Sequence, residues 1–374
     1  MNINSNFDGG NIRVVNSQDP SNIELEINKD NNSEFYQWFY FRLTGAEGID
    51  CRLNITNAKG AAYLDGWNGY QAVASYDRQF WFRVPTKFEN GVLTIEHMPE
   101  YESVYYAYFA PYSMERLADF ISWTLSDSKV RLKTLGQSLD GQDIDQLVVG
   151  SDDAGKKKIW IQARQHPGET QGSWWMEGFV QRLLDEDEPI SRYLLDRAVF
   201  YITPNINPDG SRRGHLRTNA AGANLNREWM EPSMERSPEV YLMRQQMEKI
   251  GVNFCLDVHG DEGLPYNFIA GSEGTSVWNE HLANLHDTFG ETYMAANPDF
   301  QTEFGYPKDN PGEANITVCT NYITETFKCC AITLEMPFKD TADTPQPIQG
   351  WSPERCIKLG ESAIDAIYAI VDDL

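Results

Sequence analysis

Residues 165–175 read QHPGETQGSWW, and this stretch carries a histidine and a glutamate three positions apart, His166 and Glu169. The apolar run 159–163 before it predicts a buried strand, and residues 173–184 after it predict a helix. The pair would then lie where a strand ends and a loop begins, a common place for a site in an open α/β sheet. Side chains at this spacing can both reach one metal ion.

A third candidate ligand is His259, which follows the apolar run 252–258 in the motif CLDVHGDEG. A His-x-x-Glu pair alone is a weak pattern, because most such pairs lie at a protein surface without metal. Catalytic zinc sites, however, take three protein ligands and leave one position for water. His166, Glu169 and His259 together predict a hydrolytic site with one Zn²⁺ per chain.

The composition limits the function classes. With 374 residues, 41% hydrophobic and 12% aromatic, the chain can build one large or two ordinary domains with real cores. Its formal charge of -24 would repel nucleic acid and anionic lipid, so we expect neither as a partner. No run approaches the ~20 apolar residues that span a bilayer. The first ten residues lack the basic and apolar regions of a signal peptide.

The six cysteines show no CxxC spacing. This pattern favours free thiols in a reducing compartment, so we predict a cytoplasmic location. The sequence does not indicate the oligomeric state.

The chain divides into two regions by its pattern of apolar residues. In residues 1-112, short aromatic and β-branched runs are separated by turn signals such as Asn90-Gly91. These runs predict an antiparallel β-sandwich domain. From residue 113 to 374, strand and helix signals alternate, which predicts an α/β catalytic domain with a mixed, mostly parallel sheet covered by helices. The predicted strands of the first region are residues 23–27, 35–43, 51–56, 70–75, 80–84, 92–97 and 104–109.

In the second region, most of the predicted strands and helices are bounded by clear turn or capping residues. The predicted strands are residues 147–149, 159–163, 198–203, 252–258 and 331–334. The predicted helices are residues 113–123, 173–184, 238–250 and 353–371. Residues 271–321 predict one helix and a long loop of the kind that shapes binding sites.

Residues 203–229 form a segment rich in Arg, Asn and Gly, TPNINPDGSRRGHLRTNAAGANLNREW. Its four arginines cannot all be buried with satisfied partners, so the segment cannot be a core element. One interpretation is an exposed loop. The other is an anion-binding loop, because Arg offers a planar fork that matches a carboxylate and Asn adds a neutral donor.

Several motifs together resemble the zinc metallocarboxypeptidases: HPGE at 166–169, the NPDG and NLNREW runs, DVHGDE at 257–262, and ITLEMPF around Glu335. The similarity is strongest to the cytosolic carboxypeptidase subgroup, which carries a β-sandwich ahead of a carboxypeptidase A-like domain. WFYFRL at 38–43 and YYAYFAPYS at 105–113 resemble its N-terminal signature. The resemblance covers most of the chain.

The resemblance implies a role for each matched position: zinc ligands His166, Glu169 and His259, general base Glu335, oxyanion arginine Arg217, and the substrate-carboxylate pair Asn226 and Arg227. Zinc makes water nucleophilic near neutral pH, and a carboxylate beside it can move the proton to the leaving amine. A fixed positive donor then stabilises the developing oxyanion.

Two positions depart from the family pattern or stay open. Many carboxypeptidases have Asp two residues before the Asn-Arg pair, where this chain has Asn224. An amide oxygen can still accept the His166 ring N–H, although it makes that ligand less basic. The substrate-contacting tyrosine of the family could be Tyr306 or Tyr322.

The leading prediction is a zinc-dependent metallocarboxypeptidase that removes the last residue of a peptide or protein tail. One alternative is a zinc amidohydrolase acting on N-acyl amino acids, and another is a non-catalytic module that binds peptide C-termini. The preferred last residue stays open between acidic, basic and apolar. Only Lys308 and Lys328 supply basic side chains between residue 271 and Glu335.

Overall fold

The computed structural model describes all residues, 1–374. The first region contains ten strands: β1 (Asn2–Asn4), β2 (Arg13–Asn16), β3 (Ile23–Glu26), β4 (Tyr40–Thr44), β5 (Cys51–Ile55), β6 (Val73–Ser75), β7 (Phe82–Arg83), β8 (Thr86–Glu89), β9 (Val92–His97) and β10 (Ser103–Ala107). They form two five-stranded sheets with the orders β1-β4-β10-β6-β7 and β2-β3-β5-β9-β8. All pairings are antiparallel except β3 with β5.

The two sheets pack as the predicted sandwich because their strands alternate inward and outward side chains. In β3, Ile23 and Leu25 are fully buried while Glu24 and Glu26 face outward. The predicted β-sandwich is therefore confirmed.

The second region adds seven strands and eight helices around one sheet. The strands are β11 (Val130–Gln137), β12 (Asp143–Val149), β13 (Lys157–Ala163), β14 (Ala198–Thr203), β15 (Phe254–Asp261), β16 (Phe268–Ala270) and β17 (Cys330–Pro337). The helices are α1 (Met114–Thr124), α2 (Gln171–Leu184), α3 (Pro189–Arg197), α4 (Pro208–Arg213), α5 (Pro238–Ile250), α6 (Glu280–Ala296), α7 (Cys319–Phe327) and α8 (Pro353–Ile370). The sheet order is β11-β12-β14-β13-β15-β17-β16.

This sheet is mixed, as predicted. Its four central strands, β14, β13, β15 and β17, are parallel, and antiparallel strands flank them on both sides. Parallel strands need cover on both faces. In β13, Ile159 and Ile161 contribute to the core under α2 and α8, while Trp160 packs with residues of α5 and α7 on the other face.

The two regions share one hydrophobic core that runs from the sandwich into the α/β sheet. At the seam, Tyr108 stacks on Phe338 with 4.6 Å between ring centroids. Arg83 of the sandwich donates hydrogen bonds to the backbone carbonyls of Phe338, Gln349 and Trp351. These contacts hold the sandwich beside the end of β17. None of the helices is both long and apolar enough to cross a lipid bilayer.

Candidate active site

The candidate ligands and the candidate base lie on three neighbouring parallel strands. His166 and Glu169 follow β13, His259 lies within β15, and Glu335 lies within β17. The register places His259 directly beside Glu335. Because carboxyl ends of parallel strands meet at one edge, residues far apart in sequence converge there.

The three candidate ligands meet around the Glu169 carboxylate. Its Oε1 lies 2.7 Å from Nδ1 of His166, and its Oε2 lies 2.8 Å from Nδ1 of His259. The two Nδ1 atoms are 3.2 Å apart. All three side chains are almost fully buried.

The other ring nitrogens of both histidines are held by hydrogen bonds. Nε2 of His166 donates to Oδ1 of Asn224 at 3.0 Å, which is the contact expected from the sequence. Nε2 of His259 donates to Oδ2 of Asp257 at 2.9 Å. Such bonds fix the ring orientations and turn the Nδ1 atoms of both histidines towards the Glu169 carboxylate.

This donor set fits a zinc ion. Burial, and then the charge of Arg217, lower the pKa of His166 to about 4, so its imidazole is in the neutral form that binds metal. Burial works against charge on His259 as well, but Asp257 and Glu169 outweigh it and raise its pKa. Two imidazole nitrogens and a carboxylate oxygen within 4.8 Å of one another provide a His/Glu/His set of the kind that Zn²⁺ prefers.

Glu335 is a buried carboxylate that the fold leaves partly unpaired. Its Oε1 accepts a hydrogen bond from the Tyr306 hydroxyl at 3.2 Å, while its buried Oε2 has no partner. Burial raises the pKa of Glu335 well above its usual value, and Glu169 adds to that effect. An unsatisfied buried oxygen is costly, and such atoms often mark a functional group.

Arg217 lies over the ligand group. Its Nη1 is 3.9 Å from Oε1 of Glu169, and only 14% of its side chain is exposed. The rings of Phe35 and Tyr63, both from the sandwich, lie 5.8 Å and 5.3 Å from its guanidinium carbon. A cation thus stands beside the predicted reaction centre.

Asn226 and Arg227 lie in a short 3-10 turn at the same edge. Oδ1 of buried Asn226 accepts from the backbone N–H of Cys319 at 2.8 Å, which leaves its amide N–H groups free of partners within the chain. Arg227 is exposed as a residue, and its Nη1 donates to the backbone carbonyl of Asn226 at 2.6 Å. Partial burial and the nearby Arg217 lower the pKa of its guanidinium. Two neighbouring arginines and an amide without a partner thus present donors of the kind that bind an anion.

One cleft of about 970 Å³ is bordered by six of the candidate residues: His166, Glu169, Arg217, Asn226, Arg227 and Glu335. His259 is buried and does not border this cleft. The cleft also contains Tyr306, whose hydroxyl donates to Oδ2 of Asp261 at 2.6 Å. Tyr322 instead packs on Trp229 and does not border the cleft. Of the two candidate tyrosines, the structure places Tyr306 at the site.

Sequence reasoning missed several residues of this cleft. Glu262 lies in the same DVHGDE motif as His259, so its position could have been found. Tyr63 and Asp65 come from the sandwich, where no cluster of polar groups marks them in the sequence. Glu273 belongs to the long segment 271–321, whose course the sequence does not define.

Comparison with protein families assigns both regions. Residues 3–109 match the cytosolic carboxypeptidase N-terminal domain, and residues 123–342 match the zinc carboxypeptidase family. The chain belongs to the zinc carboxypeptidase family. It is accordingly a hydrolase of the metallocarboxypeptidase type.

Solved structures of metallo-carboxypeptidases are similar to this zinc carboxypeptidase over its full length. The metallo-carboxypeptidase of Burkholderia cenocepacia is 48% identical with a TM-score of 0.97, and covers 100% of both chains. That of Pseudomonas aeruginosa is 43% identical with a TM-score of 0.98, again over 100% of both chains. An uncharacterised protein of Zymomonas mobilis is 50% identical over 100% of this chain and 97% of its own.

Named cytosolic carboxypeptidases are more distant and longer. Mouse cytosolic carboxypeptidase 6 is 28% identical over 78% of this zinc carboxypeptidase, which spans 61% of the mouse protein. Mouse cytosolic carboxypeptidase 1 is 26% identical over 75% of this chain, which spans only 27% of that protein.

Proposed function

We propose that this zinc carboxypeptidase hydrolyses the last peptide bond of peptides or protein tails, with one zinc ion per chain held by His166, Glu169 and His259. The observation that carries the proposal is the convergence of these ligands with a free carboxylate and an anion receptor in one cleft. When bound there, zinc supplies a Lewis acid that makes water nucleophilic and polarises a carbonyl oxygen.

Glu335 is the general base in this proposal. Its Oε2 has no partner within the chain and can accept the proton of the attacking water. The Tyr306 hydroxyl, whose shorter bond of 2.6 Å goes to Asp261, lies 3.2 Å from Oε1 and leaves the second oxygen open. The same carboxyl group then gives the proton to the nitrogen of the departing amino acid.

Arg217 stabilises the charge that develops on the scissile carbonyl oxygen. Its guanidinium is fixed by two aromatic rings, so little reorganisation is needed as the charge forms. Asn226 and Arg227 hold the terminal carboxylate of the substrate. This contact selects a chain end and so makes the enzyme an exopeptidase.

The cleft also favours a cationic last residue. It is bordered by ten carboxylates but only three Arg or Lys side chains, Arg217, Arg227 and Lys308. Lys308 is 71% exposed, and its Nζ lies 3.5 Å from the Glu273 carboxylate, which is only 16% exposed. We therefore propose that Glu273 attracts the side chain of a C-terminal Lys or Arg. The Pseudomonas aeruginosa relative is described in complex with (2-guanidinoethylmercapto)succinic acid, a guanidino compound, which agrees with this preference.

Two broader statements stay predictions. The division at residues 112 and 113 agrees with the start of α1 at Met114. The cytoplasmic location is supported by the six cysteines, which are all buried and unpaired.

A single substrate panel tests the proposal. The purified protein is incubated with N-blocked tripeptides ending in Lys, Leu or Glu, with the amide of each, and with an N-acyl amino acid. We expect cleavage of the free acids, fastest for Lys, with loss of activity under a zinc chelator and recovery on adding Zn²⁺. Glu273→Gln should lower the advantage of the Lys peptide over the Leu peptide. Equal cleavage of acids and amides would contradict the exopeptidase, and faster cleavage of the N-acyl amino acid would favour the amidohydrolase.

A further inference from the structure

A turn of the sandwich region binds the backbone on both sides of Arg217. Oδ1 of Asp30 accepts the N–H of Leu216 at 2.7 Å. Its Oδ2 accepts the N–H of Arg217 at 2.8 Å and that of Thr218 at 2.9 Å, together with the Thr218 hydroxyl at 3.1 Å. Three consecutive N–H groups thus point at one carboxylate that is 3% exposed.

The turn that carries Asp30 is itself fixed. The backbone N–H of Asp30 donates to the carbonyl of Phe35 at 2.9 Å, and its carbonyl accepts from Ser33 at 3.3 Å. The next residue, Asn31, donates its N–H to Nε2 of His215 at 3.2 Å. Nδ1 of His215 donates to the carbonyl of Thr218 at 2.9 Å, so the segment around Arg217 is held from both ends.

The same region also fixes the side chain of Arg217. The rings of Phe35 and Tyr63 lie against the guanidinium group. Phe35 closes the Asp30 turn, so the backbone contact and one of the ring contacts come from a single short element. An arginine side chain has several rotatable bonds, and holding both its backbone and its charged end removes most of that freedom.

We propose that Asp30 is a positioning residue for the reaction: it acts through Arg217 by holding that guanidinium where the oxyanion forms. The inference rests on the oxyanion role proposed for Arg217. Its consequence is that the sandwich supplies part of the catalytic geometry. A group that acts only in the transition state changes turnover rather than substrate binding. Displacement of such a group by a fraction of an ångström to 1 Å is already costly in rate.

The test is a double-mutant cycle with Asp30→Asn and Arg217→Ala. The Asp30→Asn substitution keeps the shape of the side chain but turns an N–H₂ group towards N–H donors, so the segment must move. Removing one oxyanion donor typically lowers kcat by ~10²–10³-fold. Misplacing it should lower kcat by a part of that, ~10- to 100-fold, with KM within about twofold. In the Arg217→Ala background, Asp30→Asn should change kcat by less than about threefold, because the group it positions is already gone.

Asp8→Asn is the matched control. Oδ2 of Asp8 accepts the backbone N–H of Met114 at 2.7 Å, so it also joins the sandwich to the α/β region, but through the start of α1 and not through the backbone of Arg217. We expect its kcat to stay within about threefold of wild type. Thermal melts of every variant show whether it is folded at the assay temperature. If turnover of Arg217→Ala is too slow for steady-state kinetics, single-turnover rates replace kcat in all four corners of the cycle.

The outcomes separate the two levels of the proposal. Full, multiplicative loss from Asp30→Asn in the Arg217→Ala background would overturn the inference, because Asp30 would then act independently of Arg217. The inference would also be overturned if folded Asp30→Asn had the kcat of wild type, or if its decrease in kcat equalled that of Asp8→Asn. Wild-type turnover of Arg217→Ala would instead overturn the oxyanion role in the proposed function.

Discussion

The buried Glu239 side chain should make the free energy of unfolding of this protein depend on pH. It lies in the first turn of α5, is fully buried, and accepts a hydrogen bond from Nδ2 of Asn219 at 3.1 Å. Burial raises its pKa to about 7, and the nearby Asp209 and Glu228 act in the same direction. The folded protein therefore holds a proton on Glu239 in a pH range where the unfolded chain has released it.

The direction and the magnitude of this pH dependence follow from the different numbers of protons bound by the folded and unfolded states. Between the unfolded pKa of about 4.5 and the folded pKa of about 7, the native state binds more protons, so its stability falls as pH rises. A difference of roughly 2.5 pKa units at 1.36 kcal/mol each corresponds to about 3 kcal/mol, lost in full above pH 7. The glutamine of Glu239→Gln cannot ionise, so the stability of this variant should not fall with rising pH for this reason. Relative to wild type it should gain about 3 kcal/mol between pH 4.5 and pH 8.

Urea unfolding followed by tryptophan fluorescence, at several values from pH 4.5 to pH 8, measures this difference. Glu248→Gln is the control, because Glu248 lies on the same helix with 51% of its side chain exposed and should give a flat difference. A Glu239→Gln difference that is equally flat would refute the reasoning, since it would mean that Glu239 ionises in the folded state as it does in the unfolded chain.

Three further predictions concern the site. His259→Ala should lose most of its zinc, measured as metal per chain by plasma emission spectroscopy after dialysis; full retention would exclude His259 as a ligand. Glu335→Gln should keep zinc and the wild-type melting temperature but lose ~10²–10⁴ in kcat, because only the basic group is removed; kcat within a few-fold of wild type would mean that another group is the base. Arg227→Ala should weaken cleavage of free-acid peptides by one to several orders of magnitude, on the scale of ~1.4 kcal/mol per tenfold, and narrow the preference for acid over amide; an unchanged acid-to-amide ratio would contradict the carboxylate contact.

The sequence predicts elements well where apolar runs are bounded by strong signals. The bounds of β14 and α5 match the prediction, because each follows or precedes a Pro or Gly boundary. Residues 35–39 were expected to be strand but lie outside β4, because the carbonyls of Phe35 and Tyr36 bond to single N–H groups of Asp30 and Ala62 instead of to one partner strand. The edge strand β11 is half polar and largely exposed, so it lacked a strand pattern.

The candidate site was predictable where a motif carries its residues. The candidate ligands, the candidate base and the candidate carboxylate-binding pair fall within short motifs, and these residues lie close together in the structure. Asp30 and Tyr63 could not be found in this way, because each is a single residue in a region without a functional motif. Their roles depend on how the sandwich packs against residues 214–218, and that packing is a long-range property of the fold.

The shared hydrophobic core, in which Tyr108 packs on Phe338, determines how the chain responds to truncation and to destabilising substitutions. A domain that meets its neighbour through a wet, polar surface can be cut away and still fold. Here the removal of either region would strip apolar side chains of their cover. Both regions should therefore unfold in one cooperative step. A destabilising substitution in the sandwich should then lower the free energy of unfolding of the whole chain. A substitution that destabilises the α/β region should in the same way lower the stability of the sandwich.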